Sequence, residues 1–107
     1  MAKGFNRPAG GQQGMLQQIQ RLQQQMAEAQ ERLGVETVSA TAGGGAVKVT
    51  VTGDQKCQSI EIAPELLKDV DAEMLQDLIL TAVNLALDKS RELQEQVMGP
   101  LAGGLPF

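Results

Sequence analysis

Six cations are placed along this chain where they could contact an anionic ligand: Lys3, Arg7, Arg21 and Arg32 in the first third, and Lys89 with Arg91 further on. Guanidinium and ammonium groups are the side chains that hold phosphate oxygens. The first four meet little competition. Residues 1–34 set them against Glu28 and Glu31 for a balance of +2, and no carboxylate occurs before Glu28. Residues 35–107 carry five basic and eleven acidic groups, a balance of −6, which completes the chain's net −4. That total argues against a generic basic nucleic-acid binder, so an anionic partner is expected at the first segment. Each cation also has a plainer reading. Arg32 can pair with Glu28 one helical turn earlier, and Asp88, Glu92 and Glu95 surround Lys89 and Arg91 as a solvated ion-pair face.

Other chemistry has little to work with. The chain has no His and one Cys, Cys57, so neither an intrachain disulfide nor an ordinary His/Cys zinc site is expected. Gly43-Gly44-Gly45 lacks the following Lys-Ser/Thr of a phosphate loop and falls between two strand signals, so it reads as a hairpin turn. Asp69 and Asp71 read as helix caps rather than as an acid/base pair. The expectation is a non-enzyme without cofactor or metal. No apolar run reaches membrane-spanning length and no signal-peptide block opens the chain, which predicts a cytoplasmic protein.

The cations must be positioned by two helices. Met15, Ile19, Leu22, Met26, Ala29 and Leu33 recur at spacings of 4, 3, 4, 3 and 4, a single narrow apolar seam. Around it sit Gln17, Gln18, Gln20, Gln23, Gln24 and Gln25, good helix formers that can also donate to phosphates or base edges. This helix is predicted from about residue 14 to Gly34, after a flexible tail over 1–13 that is rich in Gly and polar residues. Strand signals follow at 35–42, 46–52 and 56–63, where Val47, Val49 and Val51 alternate with Lys48, Thr50 and Thr52. In the third strand Gln58, Ile60 and Ile62 are expected to share one face. Pro64-Asp69 reads as one helical turn, with Leu66 and Leu67 plugging the core edge. A second long helix is predicted over 72–98, apolar nearly all round at 78–87, with Asn84 buried to fix register. Gly99-Pro100 should stop it, leaving 99–107 as a second flexible tail. The domain proper is then 14–98.

Lengths call for a partner. Strands of about 7 residues span roughly 23 Å, whereas helices of about 20 and 27 residues run roughly 30 and 40 Å. One small sheet cannot cover both. The only two aromatics, Phe5 and Phe107, lie in the tails, so the core is thin and aliphatic. A homodimer is expected, with a core and dimer seam built from Met15, Ile19, Leu22, Met26, Ile79, Ala82, Val83 and Ala86.

The ordered set "GGGAVKVTVTG", "IEIAPELLKD", "EMLQDLILTAVNLAL" and "LPF", behind a helix rich in Met and Gln, resembles the bacterial YbaB/EbfC nucleoid-associated protein family over residues 14–107. The resemblance implies an α+β protein of order α-β-β-β-α that forms a tweezer-shaped homodimer with projecting helical arms. It also implies binding of duplex DNA with weak sequence preference, altered DNA conformation, nucleoid organisation and effects on gene expression. Two features depart from the family pattern. Glutamine replaces the lysines that often flank the seam, and Asp88-Lys89 stands where relatives commonly carry a basic pair. The implied DNA affinity is therefore modest and salt-sensitive. A different class of function is a protein-interaction adaptor whose Gln-rich arms bind a replication or repair partner.

Overall fold

Alternation of valines builds the centre of the molecule. In the computed structural model, which describes the backbone of residues 2–103 and the side chains of residues 14–101, the order is α1 (Ala2–Val35), β1 (Thr37–Ala42), β2 (Val47–Thr52), β3 (Cys57–Ile62), α2 (Leu66–Asp69) and α3 (Ala72–Gly103). The strands form an antiparallel meander in the order β1-β2-β3. Val47, Val49 and Val51 of β2 are wholly buried and stand opposite Ala42, Ala40 and Val38 of β1. The first half of α3 lies over these two strands, and its small residues Ala82 and Ala86 let the helix axis come close. Each buried valine contributes about 1.5–3 kcal/mol.

The β1–β2 turn needs glycine. Gly43, Gly44 and Gly45 have φ of 64°, 68° and 94°, which side chains with a Cβ rarely adopt. The β2–β3 turn is longer than the Gly53-Asp54 pair alone. Gln55 takes φ 66°, and the Thr52 N–H closes the loop on the Lys56 carbonyl at 2.8 Å. A bulge follows, since Thr50 faces Ser59 but Val51 faces Cys57, leaving Gln58 as the extra residue. The expected alternation is therefore corrected: Cys57, not Gln58, is aligned with Val51, while Ile60 and Ile62 keep their places opposite Val49 and Val47.

Several boundaries also move. α1 begins at Ala2 rather than near residue 14, because the seam reports where a helix has something to pack against and not where its backbone starts. The side chains of residues 1–13 lie outside the described residues, as do residues 104–107 altogether. α3 does not stop at Gly99-Pro100 but continues to Gly103 with Pro100 inside it. The continuation has a packing reason: Leu101 and Met98 join a small cluster of Ala29, Leu33, Leu93 and Val97 between α1 and α3. In α2, Leu66 packs against the core but Leu67 is exposed. Asp71 caps α3, accepting the Met74 N–H at 2.8 Å. Thr81 and Asn84 are exposed on α3, so no buried Asn84 bond sets register within the protomer.

Gly53 joins the parts. Its N–H donates to the Glu36 carbonyl at 3.0 Å, and the Asp54 N–H donates to the Leu33 carbonyl at 3.2 Å. The buried Ser90 hydroxyl of α3 lies 2.8 Å from the Thr52 carbonyl and 3.1 Å from that of Gly53. The end of α1, the corner of the sheet and the middle of α3 are thereby tied at one point. From there the two helices run antiparallel: Leu33 meets the Leu93 level, Ala29 the Val97 level, and Leu101 reaches the level of Leu22. The chain is a rod of 85 × 21 × 17 Å with a radius of gyration of 22.7 Å. A compact chain of this length would have about 13 Å.

Candidate nucleic-acid interface

The predicted cations are not gathered into one patch; the elements distribute them. Arg21 and Arg32 both project from α1. Eleven residues separate them, which at 100° each returns to within about 20° of the same face, roughly 17 Å further along the axis. Arg21 is exposed and makes no ion pair among the described residues. Arg32 is engaged, but with Glu36 rather than with Glu28, whose carboxylate instead accepts from Gln24 Nε2 at 3.5 Å. Glu28 and Glu36 each lie four residues from Arg32, and the structure takes the one just past the end of α1. The side chains of Lys3 and Arg7 lie outside the described residues.

The α3 cations are both occupied. Arg91 pairs with Asp88 three residues before it. Lys89 reaches across to β1, where its ammonium donates to the Ser39 carbonyl at 2.9 Å. Sequence spacing gave no sign of that contact, which joins residues fifty positions apart. It covers an acceptor on a sheet-edge strand, a common means of blocking edge-to-edge pairing. Arg91 also lines an open groove with Asp54, Gln30, Gln94 and Met98, between the two helices and the β2–β3 turn.

The remaining polar surface of α1 is glutamine. Gln17, Gln18, Gln20, Gln23, Gln24 and Gln25 are all exposed and surround Arg21. The seam residues divide by position. Leu22 and Met26 are half-buried, whereas Met15 and Ile19 are 62% and 48% exposed because α3 ends before it can cover them. On α3, Ala82 and Ala86 are buried against the sheet and Ile79 and Val83 pack beside them. Cys57 is exposed.

A family model described as the YbaB/EbfC DNA-binding family matches residues 9–105. The chain belongs to the YbaB/EbfC DNA-binding family. YbaB/EbfC relatives named nucleoid-associated proteins occur in several bacteria. One from Pelotomaculum thermopropionicum is 52% identical over 90% of this chain and 91% of its own. Another from Syntrophobacter fumaroxidans is 46% identical over 98% of this chain and 88% of its own. One from Chloroflexus aurantiacus is 47% identical over 88% of this chain and 94% of its own. The YbaB/EbfC fold is matched by the crystal structure of an uncharacterized protein from Helicobacter pylori, with a TM-score of 0.71 at 19% identity over 83% of this chain and 94% of that one. This likeness extends to the helix–sheet–helix order described above.

Proposed function

We propose that this YbaB/EbfC chain is a nucleoid-associated protein that grips duplex DNA as a homodimer, with α1 as the contacting arm. The observation that carries the reading is Arg21: exposed, without an ion pair among the described residues, and set among glutamines on the part of α1 that has no carboxylate, level with the end of α3. Lys3 and Arg7 precede Arg21 by eighteen and fourteen residues. All three lie on the stretch of sequence that precedes the first carboxylate, Glu28. Arg21 supplies phosphate contacts and the glutamines supply neutral donors. Both position a duplex without strong base readout. Two arms holding one duplex constrain its path, which is the means by which the protein alters DNA conformation, nucleoid organisation and gene expression.

The dimer has a physical basis in the uncovered flank of the sheet. α3 rests on β1 and β2, with Lys89 over β1. Leu80 and Leu87 lie about 180° and 160° around the helix from Lys89, on the side towards β3. There Leu80 is 59% exposed and Ile60 of β3 is 45% exposed. A second copy seated on this flank buries both and leaves the two α1 arms projecting.

Gel-shift titration of a duplex against salt, with the assembly mass measured in parallel, tests the reading. Log K should fall with log salt by about 0.9 per neutralised phosphate. Replacing Arg21 by Gln removes two contacts per dimer and should lower that slope by about 2, with the dimer intact. Absence of binding even at low ionic strength would refute DNA gripping and favour the arms as docking sites for a partner helix.

A further inference from the structure

Arg32 shares a face of α1 with Arg21 and is exposed like it, about 17 Å nearer the sheet. A duplex carries one phosphate for about every 1.7 Å of its axis. One that lies along α1 at Arg21 therefore also passes Arg32. Position qualifies both residues, and their neighbours separate them. Arg21 has no carboxylate within four residues on either side, whereas Arg32 Nε donates to the carboxylate of Glu36.

Glu36 is held in place to receive that bond. It is the first residue past α1, and its backbone is fixed on both sides. Its N–H donates to the Arg32 carbonyl at 2.9 Å, and its carbonyl accepts from the Gly53 N–H at 3.0 Å. Its side chain is 36% exposed against 57% for that of Arg32. The entropy of holding two side chains in one geometry is a main cost of an exposed ion pair. A carboxylate anchored at the helix–sheet corner lowers that cost. Glu28, on the same face and four residues before Arg32, is engaged elsewhere, accepting from Gln24 Nε2 at 3.5 Å.

An arginine whose charge is matched by a fixed carboxylate neutralises no phosphate and releases no counterion. We infer that Glu36 silences Arg32, so that phosphate binding is confined to the Arg21 part of the arm and the affinity for duplex DNA is held down. The inference rests on the reading of α1 as the DNA-contacting arm. It makes Glu36 a residue that sets affinity without touching DNA.

The gel-shift titration against salt, with assembly mass measured in parallel, tests this. Glu36→Gln keeps the backbone bonds and the shape of the side chain while removing its charge. The variant should bind the duplex more tightly at low salt. Its slope of log K on log salt should steepen by about 2, one further phosphate for each of two arms at about 0.9 each. The double variant Arg32→Gln/Glu36→Gln should return to the native slope, because the gain belongs to Arg32. An unchanged slope in Glu36→Gln would overturn the inference. So would a gain that survives in the double variant, since it would trace to the charge of Glu36 alone. Arg21→Gln in the same series keeps the two readings apart. If it lowers the slope while Glu36→Gln leaves the slope alone, the arm stands and the silencing falls. If neither the native protein nor any variant binds at low ionic strength, the arm falls and this inference falls with it.

Discussion

Gly53 is the residue on which most of the architecture converges. A methyl group at its α-carbon would lie 2.7 Å from Leu33 Cδ2, 3.0 Å from the Leu33 carbonyl oxygen and 3.0 Å from Leu93 Cδ2. Leucine tips can shift; a helix carbonyl held by the Asp54 N–H cannot shift without breaking that bond. Gly53→Ala is therefore an overpacking substitution at the helix–sheet junction and should destabilise by about 1–3 kcal/mol, read as a lowered midpoint in urea at unchanged slope. The candidate interface shows a similar dependence on detail. That Arg21 stands away from any carboxylate was legible in the sequence, because no acid occurs before Glu28. The engagement of Arg91 was foreshadowed by Asp88 one turn earlier. The engagement of Lys89 was not, since its partner is a backbone carbonyl brought near only by the fold.

Among the elements, the α1–α3 pair is held by the thinnest packing. Ala29, Leu33 and Val97 form its buried part, with Leu93, Met98 and Leu101 around them. Leu33→Ala removes the largest of the three and should cost about 2–3 kcal/mol, less than in a deep core because the site is narrow and open. Hydrogen exchange should locate the loss in residues 22–33 of α1 while the β2 amides stay protected. The element order was legible because valine alternation and 4-3 seam spacing are direct consequences of strand and helix geometry. The bulge at Gln58 was not, since an unbroken Gln-x-Ile-x-Ile alternation gives no sign of an inserted residue. Nor was the continuation of α3: Pro100 breaks a helix by local rules, but Leu101 gains a packing surface on α1 that only the assembled pair provides.

The molecule as a whole is an extended rod, and an extended rod of 107 residues has little interior. Its one sheet is covered over β1 and β2 and left open over β3. Assembly through that open flank predicts that Ile60→Glu yields a monomer in sedimentation equilibrium. The far-ultraviolet helix signal should be retained, since Ile60 is already nearly half exposed in the protomer. A dimer that persists unchanged in this variant would place the contact elsewhere.

Because the Gly53 corner and the small α1–α3 cluster hold α1 only towards its C-terminal end, the helix behaves as a lever. Met15 lies eighteen residues, about 27 Å, from Leu33. A swing of only 10° at the glycine corner carries that point sideways by about 5 Å, more than the width of a side-chain contact. Tolerances of a few tenths of an ångström beneath Leu33 and Leu93 are thus magnified at the far tip. In the proposed dimer, the corner governs how widely the two tips stand apart.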